Sequence, residues 1–184
     1  MFKIIIQLFI LTALFTQCSG PSSDFEKQTE LQYLDTLDAR LEVVRQLLSK
    51  VNYEDISERK EIIEHNYELL EERFVEKKII PDAQTMQIVD EYKALEKLYE
   101  RTLANYKNIA MEMEELHIQV KTLKESANSK DYNKETFKKY FNQEKKDVLK
   151  LYELSQETIK PCLETESVFM RRQGEVVDMI EKMK

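Results

Sequence analysis

Glu114 and His117 form a Glu-x-x-His unit, a spacing that puts a carboxylate and an imidazole on one face of a helix. In a helical bundle such a unit supplies part of a di-iron site, which also needs a second Glu-x-x-His and two further inward glutamates. The only other histidine, His65, has Ile62 three residues before it. No second unit exists, so neither a metal nor another cofactor is expected. Tyr92, Tyr99 and Tyr106 stand one heptad apart, where stacked hydroxyls could line a ligand groove or a proton path. They keep the period of the neighbouring Leu and Ile residues, however, so the simpler expectation is core packing with each hydroxyl escaping at the edge of the seam. Lys93, Glu100, Lys107, Glu114 and Lys121 alternate in sign at the same spacing, as a solvated helix face does. The chain has no His-Glu-x-x-His, no Gly-rich phosphate loop and no Gly-flanked nucleophilic serine. With two histidines, general acid-base capacity is almost confined to carboxylates, and the expectation is a protein that is not an enzyme.

Cys18 carries a different chemistry. The chain opens Met1-Phe2-Lys3 and then runs apolar from Ile4 to Thr16, interrupted only by Gln7. As a helix that run rises about 20 Å, short of a ~30 Å hydrocarbon core, which fits the h-region of a signal peptide and not a membrane span. Leu14-Phe15-Thr16-Gln17-Cys18-Ser19-Gly20 follows, and it resembles the processing site of bacterial lipoproteins, in which the signal peptidase cuts before a Cys that then carries the lipid. Gln17 departs from the small residue usual in that position. The alternative is an ordinary secretory cut after Cys18, with Thr16 and Cys18 as its small residues. The resemblance implies residues 1–17 as signal peptide, a diacylglyceryl thioether and an N-acyl group on Cys18, and 18–23 as lipidated Cys and tether. Ser19 resembles the outer-membrane form of the signal, with the domain facing either the periplasm or the cell surface. With Cys18 lipidated, Cys162 has no disulfide partner. It falls in core phase with no His or basic cluster beside it, as a buried small hydrophobe does and a reactive thiol does not.

The elements that must carry these residues are helices. The chain of 184 residues has two glycines and three prolines, so it lacks the turn residues that sheets and nucleotide loops require. Charged residues make up 34% of it and the formal net charge is −7. An acidic chain without a dense Lys/Arg stripe cannot neutralise many phosphates, which excludes nucleic acid as an expected partner. From Ile88 a heptad seam runs Tyr92, Leu95, Tyr99, Thr102, Tyr106, Ile109, Met113, Leu116, Val120, Leu123 and Ala127. So long a seam on one helix has to be buried against other long helices.

A helical domain over 24–184 supplies them. Leu34, Leu37, Leu41, Val44, Leu48 and Val51 form one seam, which slips phase and resumes at Ile56, Ile63, Tyr67, Leu70 and Phe74. The slip is either a turn capped by Asn52 or a stutter within one helix. Continuity gives helices of about 80, 70 and 75 Å over 24–78, 82–127 and 133–182, three lengths that match. Pro81 separates the first two, and Asn133 caps the third. The third has Phe137, Phe141, Val148, Leu151, Ile159, Cys162, Phe169, Val176 and Met179 as its seam, a kink at Pro161 and final turns loosened by Gly174. The expected fold is all-α, an elongated antiparallel up-down-up bundle of three long helices tethered at one end by Cys18.

Gln119 to Leu123, a Gln-x-x-x-Leu stretch before a turn, and Tyr140 to Glu144, an aromatic-rich Tyr-x-x-x-Glu opening the last helix, resemble small helical lipoproteins of Bacteroidota-type bacteria. That resemblance implies no activity and assigns no residue a role. The expected function is a membrane-anchored, non-enzymatic binding or scaffolding module of the cell envelope, held through the lipid on Cys18 and engaging another protein. Self-association as a structural coiled coil, and ligand or metal binding by a helical bundle, are the alternatives.

Overall fold

A computed structural model describes residues 21–129 and 132–184, and over these the chain is all-helical. The expected signal peptide and lipidated Cys18 lie outside the described residues. Five helices follow one another: α1 (Pro21–Ser49), α2 (Tyr53–Lys77), α3 (Ala83–Ala127), α4 (Lys134–Glu164) and α5 (Glu166–Lys182). Among the described residues five helices thus stand where three were expected, the first being divided at the interruption foreseen near Asn52 and the last at Thr165. Residues 21–23, expected as tether, are helical, with Pro21 at the first position, where its missing N–H costs nothing.

Each boundary has a local cause. After Ser49 the chain tightens through bonds from the Lys50 and Val51 amides to the Leu47 and Leu48 carbonyls. Asn52 then caps α2 by accepting from the Asp55 amide at 3.4 Å, and Glu54 and Asp55 sit in the first turn, where the helix dipole favours negative charge. The turn was thus the right alternative at Asn52. Lys78 ends α2 in the left-handed region with φ of 52°, and the Ile79 amide bonds back to the Phe74 carbonyl. Asp82 caps α3 by accepting from the Thr85 amide at 2.7 Å, and Asn133 caps α4 by accepting from the Thr136 amide at 2.9 Å.

The break in the last expected helix falls at Thr165, one turn beyond Pro161. Pro161 has no N–H for the Glu157 carbonyl, yet α4 continues past it to Glu164. Thr165 closes α4 with its hydroxyl, which donates to the Cys162 carbonyl at 2.9 Å. Its own carbonyl then accepts from the Phe169 amide as α5 begins.

Packing directions follow from which residues meet. Along α1 and α3, Tyr106 meets Leu48, Glu114 meets Arg45 and Lys124 meets Asp38 and Asp35, so the two helices run antiparallel. The α2–α3 contact between Asn66 and Tyr92 extends the same register. Between α1 and α4 the numbers rise together, Glu26 with Lys134, Tyr33 with Phe141 and Arg40 with Tyr152, as parallel neighbours require. The core divides in two along α3. One cluster joins Leu34, Leu37, Leu41, Val44 and Leu48 of α1 to Ile109–Ala127 of α3 and Phe137–Ile159 of α4. The other joins Ile56, Ile63 and Leu70 of α2 to Val89–Tyr99 of α3 and to Cys162, Phe169, Val176 and Ile180.

Candidate binding groove

The residues singled out by their chemistry disperse into packing roles. Glu114 is exposed and pairs with Arg45 of α1 at 3.6 Å, while His117 Nδ1 meets Asp38 at 3.1 Å. The Glu-x-x-His unit is thus spent on two contacts with α1. Among the described residues no group of three or more His, Cys, Asp or Glu is close enough to hold a metal. In the charged stripe, Lys93 pairs with Glu96 at 2.7 Å and lies over the Tyr67 ring, and Lys107 lies near the Tyr53 ring. Those two lysines are partly packed against aromatic rings as well as solvated.

The three tyrosines are core, but two of their hydroxyls do not escape to the edge. Tyr92 is buried and accepts from the Asn66 amide at 3.2 Å. Tyr99 is buried edge-on to Phe169, and its hydroxyl lacks a well-formed hydrogen bond. Burial pushes both phenols above their ordinary pKa. Tyr106 is the one at the margin: half-buried, tilted against Tyr53, with its hydroxyl donating to the Leu48 carbonyl at 3.4 Å. A polar layer sits one turn past Tyr99. There the Thr102 hydroxyl lies 2.9 Å from both the Leu98 and Thr158 carbonyls, while the buried Thr158 hydroxyl has no partner. Cys162, free and buried, adjoins this layer, and burial raises its thiol pKa, which disfavours the thiolate.

The feature with the shape of a site lies at the other end of α3. A groove of about 470 Å³ opens between the last turns of α3 and the first turns of α4. Ile118, Gln119, Thr122, Leu123 and Ser126 form one wall, Ser129, Tyr132 and Asn133 the end, and Thr136, Phe137, Tyr140 and Glu144 the other wall. Its volume falls within the range of small-molecule sites, roughly 300–1,000 Å³. The hydroxyls of Thr122 and Ser126 turn to carbonyls of their own helix, those of Ile118 at 2.8 Å and Leu123 at 2.9 Å, which leaves the surface mainly apolar. Tyr132 and Phe137 pack against each other there at a centroid distance of 5.5 Å.

Glu144 is the exception in this lining. It is only 8% exposed, and its Oε2 has no hydrogen-bond partner. Burial, with Asp147 nearby adding repulsion, pushes its carboxyl above the usual carboxylate range. The residue occupies the seam position between Phe141 and Val148, three residues after one and four before the other. Sequence reasoning passed over it because the seam was followed through its apolar members, although the gap itself was the signal. Gln119, Leu123, Tyr140 and Glu144, which bound the two motifs described above, all line this one groove.

Comparison with family models, with curated proteins and with solved structures finds no match for this chain.

Proposed function

We propose that the chain is a lipid-anchored, non-enzymatic binding module of the bacterial envelope, of the kind formed by small helical lipoproteins of Bacteroidota-type bacteria. Its five helices work as one elongated rod, three helices in cross-section. The observation that carries the reading is the order of the N-terminal features: an apolar h-region, then Cys18, then α1 beginning at Pro21. A lipid on Cys18 would sit three residues from the bundle, with several acyl chains each contributing about 0.8 kcal/mol per buried CH₂. No described helix is long and apolar enough to cross a membrane, so attachment of the described domain would rest on that lipid.

A partner-binding role is supported at the end of the molecule away from Pro21. Around the turn between α2 and α3, Val75, Ile79, Ile80 and Met86 are exposed, Ile80 at 93% and Val75 at 78%. Apolar residues clustered at one tip are a common mark of protein contact. Metabolic labelling with palmitate tests the anchor: wild type should incorporate label and pellet with membranes, and Cys18→Ala should do neither. Equal labelling of both proteins would overturn the anchor. Crosslinking in intact cells tests the tip, where Ile80→Asp should lose the captured protein. Self-association is the second reading of the same tip, and sedimentation of a concentrated sample separates the two, since a monomer removes it.

A further inference from the structure

We propose that the groove between α3 and α4 binds a small amphiphile that carries a protonated amine on an apolar body, the amine pairing with the Glu144 carboxylate. Three observations at this groove lead there. Glu144 takes a core position that a Leu would fill, and it is buried with an oxygen left unpartnered. Burying a carboxylate oxygen without a partner disfavours its charged form, and a cation from outside would offset that cost. Tyr140 stands one turn before Glu144 on the same helix face and is 51% exposed, and Ile118 across the groove is 62% exposed. These two leave apolar surface in water on either side of an open cleft, which the body of an amphiphile would cover. The sign of the site is also set. Asp147 reinforces the negative field around Glu144, so an anionic analogue would be repelled.

The inference does not depend on the lipid anchor, and Cys18→Ala should bind the same ligand. The chain contains no Trp, so the fluorescence of an indole ligand can be followed without interference from the protein. Tryptamine is therefore the probe, added to the full chain purified in a non-ionic detergent, with the detergent alone as blank. Wild type should give a saturable blue shift and a rise in anisotropy. Tryptophol, which has a hydroxyl in place of the amine, should bind at least about tenfold more weakly, and indole-3-propionate more weakly still. Glu144→Gln should fold, since it removes a buried charge, and should lower tryptamine affinity to that of tryptophol. Tyr140→Ala, at an exposed position, should weaken both ligands several-fold through the lost ring contact. The proposal is overturned if tryptamine shows no saturable binding to wild type at millimolar concentration. It is equally overturned if tryptophol matches tryptamine, or if Glu144→Gln binds tryptamine as wild type does.

Discussion

At the scale of single residues, two buried threonines on facing helices give opposite expectations. Thr102 and Thr158 are both fully buried, but only the Thr102 hydroxyl reaches a carbonyl, that of Thr158 across the helix interface as well as its own Leu98. Thr102→Val should cost about 1 kcal/mol in denaturant melts, because it removes that bond and leaves the carbonyl of Thr158 with one contact fewer. Thr158→Val removes a hydroxyl that bonds to nothing and should be neutral or stabilising. Glu144 gives a pH expectation. Its folded carboxyl is raised by burial and by Asp147, so the folded state holds this proton more tightly than the unfolded chain does. Stability contributed by Glu144 is therefore greatest below the ordinary Glu range and falls as pH rises through its raised value. Asp82 and Glu91 work the other way, lowered by hydrogen bonds from Thr85 and Gln87 respectively, with the Arg172 guanidinium also on Glu91. The difference between wild type and Glu144→Gln isolates the first effect. Melts across mildly acidic pH should show the variant gaining on wild type as pH rises, and parallel curves would contradict it.

At the scale of elements, two exposed positions carry backbone costs that substitution should relieve. Lys78 holds φ of 52°, where an L side chain costs about 1 kcal/mol or more relative to glycine, and Lys78→Gly should raise the melting temperature accordingly. Gly174 lies within α5 with open space around the position of a Cβ, and Gly174→Ala should stabilise by roughly 0.5–1 kcal/mol. These effects belong to helix ends and interiors, and so do the limits of what the sequence disclosed. The seams were legible: Leu34, Leu37, Leu41, Val44 and Leu48 are all buried, and so are the α3 positions from Tyr92 to Ala127 except Tyr106. Asn52 was legible as a cap. Matching helix lengths gave the wrong choice there, because α1 and α2 cover the α3 seam in one register whether or not they are joined. Thr165 was not legible, since it is neither Gly nor Pro and its hydroxyl cap is an ordinary local bond. Pro161 announced a disturbance one turn too early. The groove stayed hidden for a different reason. Its walls come from helix ends on either side of a turn, so its volume depends on how α3 and α4 diverge and not on any periodicity.

At the scale of the whole molecule, α3 is the element that both halves of the core share. The polar layer of Thr102, Ser155 and Thr158 lies close to the Thr165 break and to the α1–α2 turn, where Lys50, Asn52, Arg59, Cys162 and Glu166 come together. Polar side chains thus stand where the two halves meet, with Val51 packed against both clusters beside them. Cooperativity across that level rests on the continuity of α3, on α4 reaching Cys162, and on that packing of Val51. A fold built this way should open in two units, because local opening follows contact density. Leu70→Ala, in the α2 half, should cost about 2–5 kcal/mol there. Native-state hydrogen exchange should then show amides of α2, α5 and the first turns of α3 losing protection, while α1 and the last turns of α3 keep most of theirs. Leu37→Ala should give the converse pattern. Uniform loss of protection along α3 in both variants would mean that the two clusters act as a single core, and that the polar layer is no barrier to cooperative unfolding.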